Sequence, residues 1–141
     1  MRAGCCGVPP EGARVRLNQV TVGATDFRQS VDFYTRLGLR LIVSAREEYA
    51  RFDMPEGDAT LSVHVQDEVP ETGPMIYFEV GDVDAVVARL RAAGIVFESD
   101  PVDQPWLWRE ARLRDPAGNR LCIFHAGVNR RDPPWRLPVT D

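Results

Sequence analysis

The stretch Leu17 to Leu39, LNQVTVGATDFRQSVDFYTRLGL, decides the fold, because a diluted copy of it returns at Gly73 to Ile95 as GPMIYFEVGDVDAVVARLRAAGI. Setting Asp26 on Asp82 gives a shift of 56 residues, at which Val31 meets Val87, Tyr34 meets Leu90, Gly38 meets Gly94 and Leu39 meets Ile95. Each copy reads as an alternating strand, an acidic helix cap, an amphipathic helix and a glycine stop. Two long copies imply two halves of one fold, since a solenoid needs at least about three short repeats.

Outward from the first copy, Val15–Val22 alternates apolar and polar residues as a strand between two layers does. Asp26 is placed to cap a helix, with Gln29 three residues on to complete a capping box. Phe27, Val31, Tyr34 and Leu37 form the apolar stripe, and Gly38 supplies the left-handed stop. Three strands follow, at Arg40–Ser44, Tyr49–Met54 and Ala59–Val65. The second copy repeats this order: a strand at Met75–Val80, a helix at Val83–Ala93 capped by Asp82, then strands at Ile95–Glu98, Leu107–Leu113 and Arg120–His125. The expected layout is therefore a loose extension over 1–14, one βαβββ module over 15–65, a polar joint over 66–73, a second module over 74–126 and a tail over 127–141. In the tail, Trp135 is expected to plug onto the body as a hydrophobic pin, ahead of any ligand contact.

Composition narrows the chemistry. The chain has 141 residues, enough for one domain or two half-domains that share a core. With 17 basic against 21 acidic residues it is mildly acidic, and it lacks any basic run interleaved with aromatics, so no nucleic-acid partner is expected. All 17 basic residues are arginine, which removes Schiff-base, P-loop and general-base lysines from consideration. Cys5, Cys6 and Cys122 form neither a disulfide framework nor a zinc spacing, which fits a reducing cytoplasm. Ala3, Gly4 and Cys5 have no apolar segment before them, and no run approaches the roughly 18 apolar residues of a membrane span, so no anchor and no membrane partner are expected.

Two strand–helix–three-strand units, opened by DFRQSVDFYTRLGL and closed by RDPAGNRLCIF, resemble the vicinal oxygen chelate superfamily over about Leu17 to His125. That group holds glyoxalase I, extradiol dioxygenases, epimerases, and the fosfomycin and bleomycin resistance proteins. The resemblance implies an α+β fold of two βαβββ half-barrel modules in one chain, with curved mixed sheets around a cleft and helices outside. It also implies that a divalent metal, where the family uses one, takes four ligands, usually His or Gln, Glu or His, His, and Glu. Carried over, the first falls on Gln19, the second on Ser62 or its same-face neighbour His64, the third on Met75 and the fourth on Cys122. Thioether and thiol suit hard or borderline divalent ions poorly, so the resemblance carries the fold better than the metal.

Since helices cover one face of each strand, the opposite parity faces the cleft. That places Gln19, Met75, Tyr77, Trp108, Arg112, Cys122 and Phe124 as ligand-binding candidates, and His64 and Glu110 as catalytic candidates. His64 reads either as a hydrogen-bonded interior histidine or as a general base. Glu110 and Arg112 read either as a structural ion pair or as a carboxylate-binding arginine with a proton-moving partner. Trp106 and Trp108 either gate and stack on a planar ligand or pack between the halves. The expectation is a small-molecule-binding protein holding an aromatic or amphipathic ligand between the modules, without the family metal site. The alternative is a metal-dependent glyoxalase-like lyase, isomerase or dioxygenase on a shifted set such as Gln19, His64 and Glu79 or Glu110. No cofactor is assigned, a divalent metal being the one the family admits, and a homodimer is the expected assembly.

Overall fold

The computed structural model describes residues 7–138; Cys5, Cys6 and the Ala3–Gly4–Cys5 segment, with the first residues of the expected N-terminal extension, lie outside the described residues. Two helices and eight strands follow one another as β1 (Gln19–Ala24), α1 (Phe27–Leu37), β2 (Arg40–Ala45), β3 (Tyr49–Asp53), β4 (Thr60–Val65), β5 (Met75–Glu79), α2 (Val83–Ala92), β6 (Val102–Asp103), β7 (Arg109–Arg114) and β8 (Arg120–His125). They form two four-stranded sheets of the same order, β1-β4-β3-β2 and β5-β8-β7-β6. In each sheet the first strand runs parallel to the last and the remaining pairs are antiparallel. The sheets are mixed and the repeat is complete at the level of topology.

The repeat extends to single hydrogen bonds. Asp26 accepts from Gln29 N at 3.0 Å, and Asp82 accepts from Ala85 N at 3.0 Å, so both helices start on the same carboxylate cap. At the other end Gly38 N and Leu39 N donate to Thr35 O and Tyr34 O, while Gly94 N and Ile95 N donate to Arg91 O and Leu90 O, each partner displaced by the same interval. Both glycines sit at positive φ, +115° and +92°, a conformation that a side chain resists, and each ends its helix in a Schellman-type turn.

The second copy departs from expectation on its sheet edge. Ile95–Glu98 is not a strand: Phe97 makes a single bridge to Leu113, and the ladder resumes only at β6. Ser99 explains the break, because its hydroxyl accepts the Arg112 N–H at 2.9 Å where a backbone carbonyl would otherwise pair, and Pro101 has no N–H to give. The first strand also begins later than the alternation implies, leaving Val15 and Leu17 exposed ahead of Gln19. Trp135 is 57% exposed, so it does not act as the expected plug.

One continuous core joins the halves. Val22, Ala24, Tyr34, Phe52, Leu61 and Val63 from the first unit pack in the same cluster as Val83, Val87, Leu90, Leu113, Leu121 and Ile123 from the second. These residues come from the helices and from the helix-side faces of both sheets, so the open face of each sheet is turned away from the shared core. Tyr34 marks the junction. Fully buried on α1, it donates its phenol O–H to Asp115 Oδ2 at 2.6 Å, on the β7–β8 turn of the other unit. Asp115 also accepts from Ala117 N, Asn119 N and Asn119 Nδ2, and that same Asn119 amide donates to Gly23 O in β1.

Two stability outcomes follow from these contacts. Tyr34→Phe removes a bond to a buried carboxylate and is expected to cost about 1–3 kcal/mol in denaturant unfolding. Burial, with the adjacent Asp115 charge, raises the Tyr34 pKa well above its ordinary value. A raised folded-state pKa gives stability that is present below the unfolded value of about 10 and lost as pH rises past it, so Tyr34→Phe should flatten the alkaline limb of the stability–pH curve. Ser30, on α1, is buried with no partner for its hydroxyl, so Ser30→Ala should leave stability unchanged or raise it by up to about 1 kcal/mol by the same unfolding measurement.

Candidate functional site

The open face of the β5–β8 sheet is built by strand parity. Ile76 and Phe78 of β5, Ala111 and Leu113 of β7, and Leu121 and Ile123 of β8 face the helix, which leaves Met75 and Tyr77, Glu110 and Arg112, and Cys122 and Phe124 on the other side. Cross-strand pairing sets Tyr77 beside Cys122, Glu110 beside Phe124 and Arg112 beside Cys122. Here Met75, Trp108, Cys122 and Phe124 form a second, smaller apolar cluster. Trp108 stacks on Phe124 with ring centroids 4.7 Å apart at 24°, and Tyr77 stands edge-on to both at 5.8 and 5.5 Å. Cys122 and Phe124 are buried beneath this group, while Tyr77 is 47% exposed and presents its ring outward. The aromatic residues thus fill the space between themselves and form a platform, with Tyr77 as its accessible surface.

Beside the platform opens a cleft of about 410 Å³ walled by Ser99, Asp100, Val102, Gln104, Trp106, Glu110 and Arg112. Glu110 is its central charge. Only 2% exposed, it accepts from Trp106 Nε1 at 2.7 Å through one carboxylate oxygen and from Arg112 Nη2 at 3.2 Å through the other. A buried carboxylate needs such donors to stay charged. Arg112 is 45% exposed and spends one guanidinium N–H on this pair, its side chain having no other hydrogen-bond partner among the described residues. Trp106 is held over Glu110 by the turn Gln104–Trp108, in which Leu107 adopts φ +67° and its N–H closes on Gln104 O.

The open face of the β1–β4 sheet is polar. Gln19 donates to Ser62 Oγ at 2.8 Å and to Thr21 Oγ1 at 3.2 Å, and it accepts from the Thr60 hydroxyl. Ser62, wholly buried, shares a 2.6 Å hydrogen bond with Tyr49 Oη, onto which Arg51 also directs Nε and Nη2 at 3.0 and 2.9 Å. The exposed His64 meets the Tyr49 ring edge-on at 6.3 Å. Tyr49 and Arg51 were absent from the sequence-derived candidates, yet the signal was available: in the β3–β4 register they pair with His64 and Ser62, so alternation along β3 puts them on the same face.

The sequence candidates therefore divide into two groups. Met75, Tyr77, Trp108, Glu110, Arg112, Cys122 and Phe124 share one open face, while Gln19 and His64 lie on the other. The two proposed proton-moving groups, His64 and Glu110, are not brought together within the chain. Within one chain, and among the described residues, no three His, Cys, Asp or Glu side chains converge. Gln19 is consumed by Ser62, Thr21 and Thr60, and Glu79 by the backbone N–H groups of Ala126 and Gly127. Burial, reinforced by the Glu110 charge and partly offset by Arg112, pushes the Cys122 thiol up to about 12, which disfavours the thiolate that a metal would require. Among the described residues no helix is long and apolar enough to cross a membrane.

A sequence profile of the Glyoxalase/Bleomycin resistance protein/Dioxygenase superfamily matches residues 16–123. No match was found among curated protein sequences. Among solved structures, a glyoxalase/bleomycin resistance protein/dioxygenase from Nocardioides is 26% identical, with a TM-score of 0.67 over 92% of this chain and 91% of that one. A bleomycin-binding protein complexed with bleomycin shares the fold at 19% identity and TM-score 0.64, covering 79% of this chain and 98% of its own. So does a lactoylglutathione lyase from Agrobacterium tumefaciens, at 20% identity and TM-score 0.66, covering 85% and 97%. A match across most of the chain, together with two sheets of identical order, each carrying one helix, establishes that this protein belongs to the Glyoxalase/Bleomycin resistance protein/Dioxygenase superfamily.

Proposed function

We propose that this protein binds a small, planar and partly polar organic molecule against the open face of the β5–β8 sheet, without a metal ion in the site. The observation that carries this reading is the buried Glu110 carboxylate at a cleft of about 410 Å³, flanked by a half-exposed arginine and an aromatic platform. The cleft supplies the polar groups and the adjoining Tyr77–Trp108–Phe124 platform the apolar surface, the combination a small-molecule site uses. A ligand ring rests on Tyr77 and against Trp106, and a ligand carboxylate or phenolate takes the N–H groups of Arg112 that Glu110 leaves free. Trp108, Phe124, Met75 and Cys122 hold the platform from below. Within the family, one protein of this fold is a bleomycin-binding protein and another a lactoylglutathione lyase, so the fold by itself favours neither binding nor catalysis. The donor chemistry favours binding.

The same reading takes the working unit as a homodimer. Each open face is turned away from the shared core, so a cleft bounded on both sides needs a second copy to cover it. A site shared between copies would place the polar face of one chain against the aromatic face of the other.

Titration calorimetry with a planar aromatic carboxylate as probe tests the reading. Arg112→Gln should weaken binding about 10- to 100-fold, the loss of a charge-assisted hydrogen bond, and should also lower the melting temperature, because the buried Glu110 carboxylate loses its charged donor. Prior exhaustive chelation should leave the affinity unchanged, and affinity that disappears with chelation overturns the metal-free reading. Sedimentation should give twice the 15.8 kDa chain mass; a monomer that still binds the probe would remove the shared cleft from the proposal.

A further inference from the structure

The platform and its acidic cleft leave the opposite face unexplained, and its hydrogen-bond geometry has a chemistry of its own. Ser62 Oγ accepts the Gln19 amide at 2.8 Å and lies 2.6 Å from Tyr49 Oη, to which its own O–H donates when Tyr49 is the phenolate. Arg51 adds Nε–H and Nη2–H to the same oxygen at 3.0 and 2.9 Å. Three donors thus converge on one phenol oxygen, the number a phenolate can accept and more than a neutral phenol uses well. The guanidinium carbon lies 5.5 Å from the Tyr49 ring centroid, which places a positive charge beside the ring as well as at its oxygen.

Among the described residues no carboxylate pairs with Arg51 or hydrogen-bonds to Tyr49. On β4, the residues facing Tyr49 and Arg51 are His64 and Ser62; on β2, the residues paired with them are Ala45 and Val43; Gln19 reaches in from β1 through Ser62. The Ser62 hydrogen bond lowers the Tyr49 pKa from its ordinary value, partial burial opposes it, and Arg51 adds to the lowering. Tyr34, by contrast, is buried against Asp115 and pushed upward.

We propose that Tyr49 works as a phenolate, held in that form by the converging donors of Arg51 and Ser62, and takes a proton from a weakly acidic ligand, such as a phenol or enol, that reaches the open face of the β1–β4 sheet. The proton passes from the ligand's O–H to the Tyr49 oxygen, the ligand keeps the electron pair as its anion, and Arg51 stands next to the exchange as the fixed counter-charge. Oη returns the proton when the product leaves, so no further reactant is consumed. Arg51 and Ser62 are positioning residues in this scheme, because they act through Tyr49. In the proposed homodimer this face lines the same shared cleft as the platform, so Tyr49 adds a proton-moving group to that reading, while covalent labelling reads the Tyr49 oxygen itself and fails or succeeds separately from ligand binding.

The test reads reactivity directly on the full chain with benzenesulfonyl fluoride, followed by peptide mapping in a mass spectrometer. Attack by a tyrosine oxygen forms an O–S bond, breaks the S–F bond and releases fluoride, with the phenol proton going to solvent. The chain has three tyrosines, and accessibility alone would favour Tyr77, which is 47% exposed and more open than Tyr49. The proposal expects the reverse order, with Tyr49 labelled faster than Tyr77 by a factor on the order of ten, the scale of an activated nucleophile. Arg51→Met and Ser62→Ala should each slow Tyr49 several-fold while leaving Tyr77 unchanged, the Tyr77 rate serving as the check that each variant is folded. Faster labelling of Tyr77, or an unchanged Tyr49 rate in both folded variants, overturns the proposal.

Discussion

The hydrogen bond from Tyr34 to Asp115 is the constraint on which the arrangement of the halves depends. Asp115 first organises its own turn, accepting from the N–H groups of Ala117 and Asn119, and only then meets the phenol of α1. A carboxylate buried to 4% exposure without these donors would be costly, so the turn, the helix and the contact between them stand or fall together. Asn119 extends the same network by one step, linking the Asp115 carboxylate to the backbone of β1. The helix-side core supplies bulk attraction between the units, but apolar packing has little directional preference. This network fixes the angle at which they meet, and with it the direction in which each open face looks.

That direction gives the two copies different chemistry from one topology. The first face carries Gln19, Tyr49, Arg51, Ser62 and His64, linked mainly by hydrogen bonds. The second carries Met75, Tyr77, Trp108, Cys122 and Phe124, joined by ring contacts, with Glu110 and Arg112 at the edge. Position by position, Met75 stands where the repeat places the twin of Gln19. A thioether here fills space under Trp108 where an amide in the first copy donates to a buried serine. The repeat conserves backbone caps and stops while letting open-face side chains diverge, because the caps serve the fold and the open face touches no part of the shared core.

The helices, their acidic caps and their glycine stops were legible because each rests on contacts within a few residues, and local chemistry is written in local sequence. The strand that failed, Ile95–Glu98, failed for a reason that alternation does not encode: Ser99 competes for the Arg112 N–H, a contact between positions 13 apart. The open-face assignment of β5, β7 and β8 followed from parity alone, since a strand's side chains must alternate whatever lies beyond it. What parity could not show is that the aromatic residues lean on one another. Stacking of Trp108 on Phe124 depends on rotamers and cross-strand distance, and these make a platform of residues expected singly as ligand contacts. Tyr49 and Arg51 were missed for the converse reason, because β3 was read as a sheet member and its outward residues were never paired with those of β4.

That no metal-ligand cluster forms within one chain among the described residues follows from the same divergence. A divalent ion in a shared cleft needs hard donors that are free, charged and convergent. Here each acidic or amide group that could serve has a prior engagement: Gln19 with Ser62, Thr21 and Thr60, Glu79 with the turn after β8, Glu110 with Trp106 and Arg112. Recruiting any of them would strand its present partner, and for Glu110 that partner is a guanidinium whose countercharge would be lost. Arg112 and Arg51 occupy the two open faces as positive groups, each hydrogen-bonded to a side-chain oxygen, Glu110 Oε1 and Tyr49 Oη. A fixed arginine can offset developing negative charge at any pH the protein meets, without a site that must first be loaded.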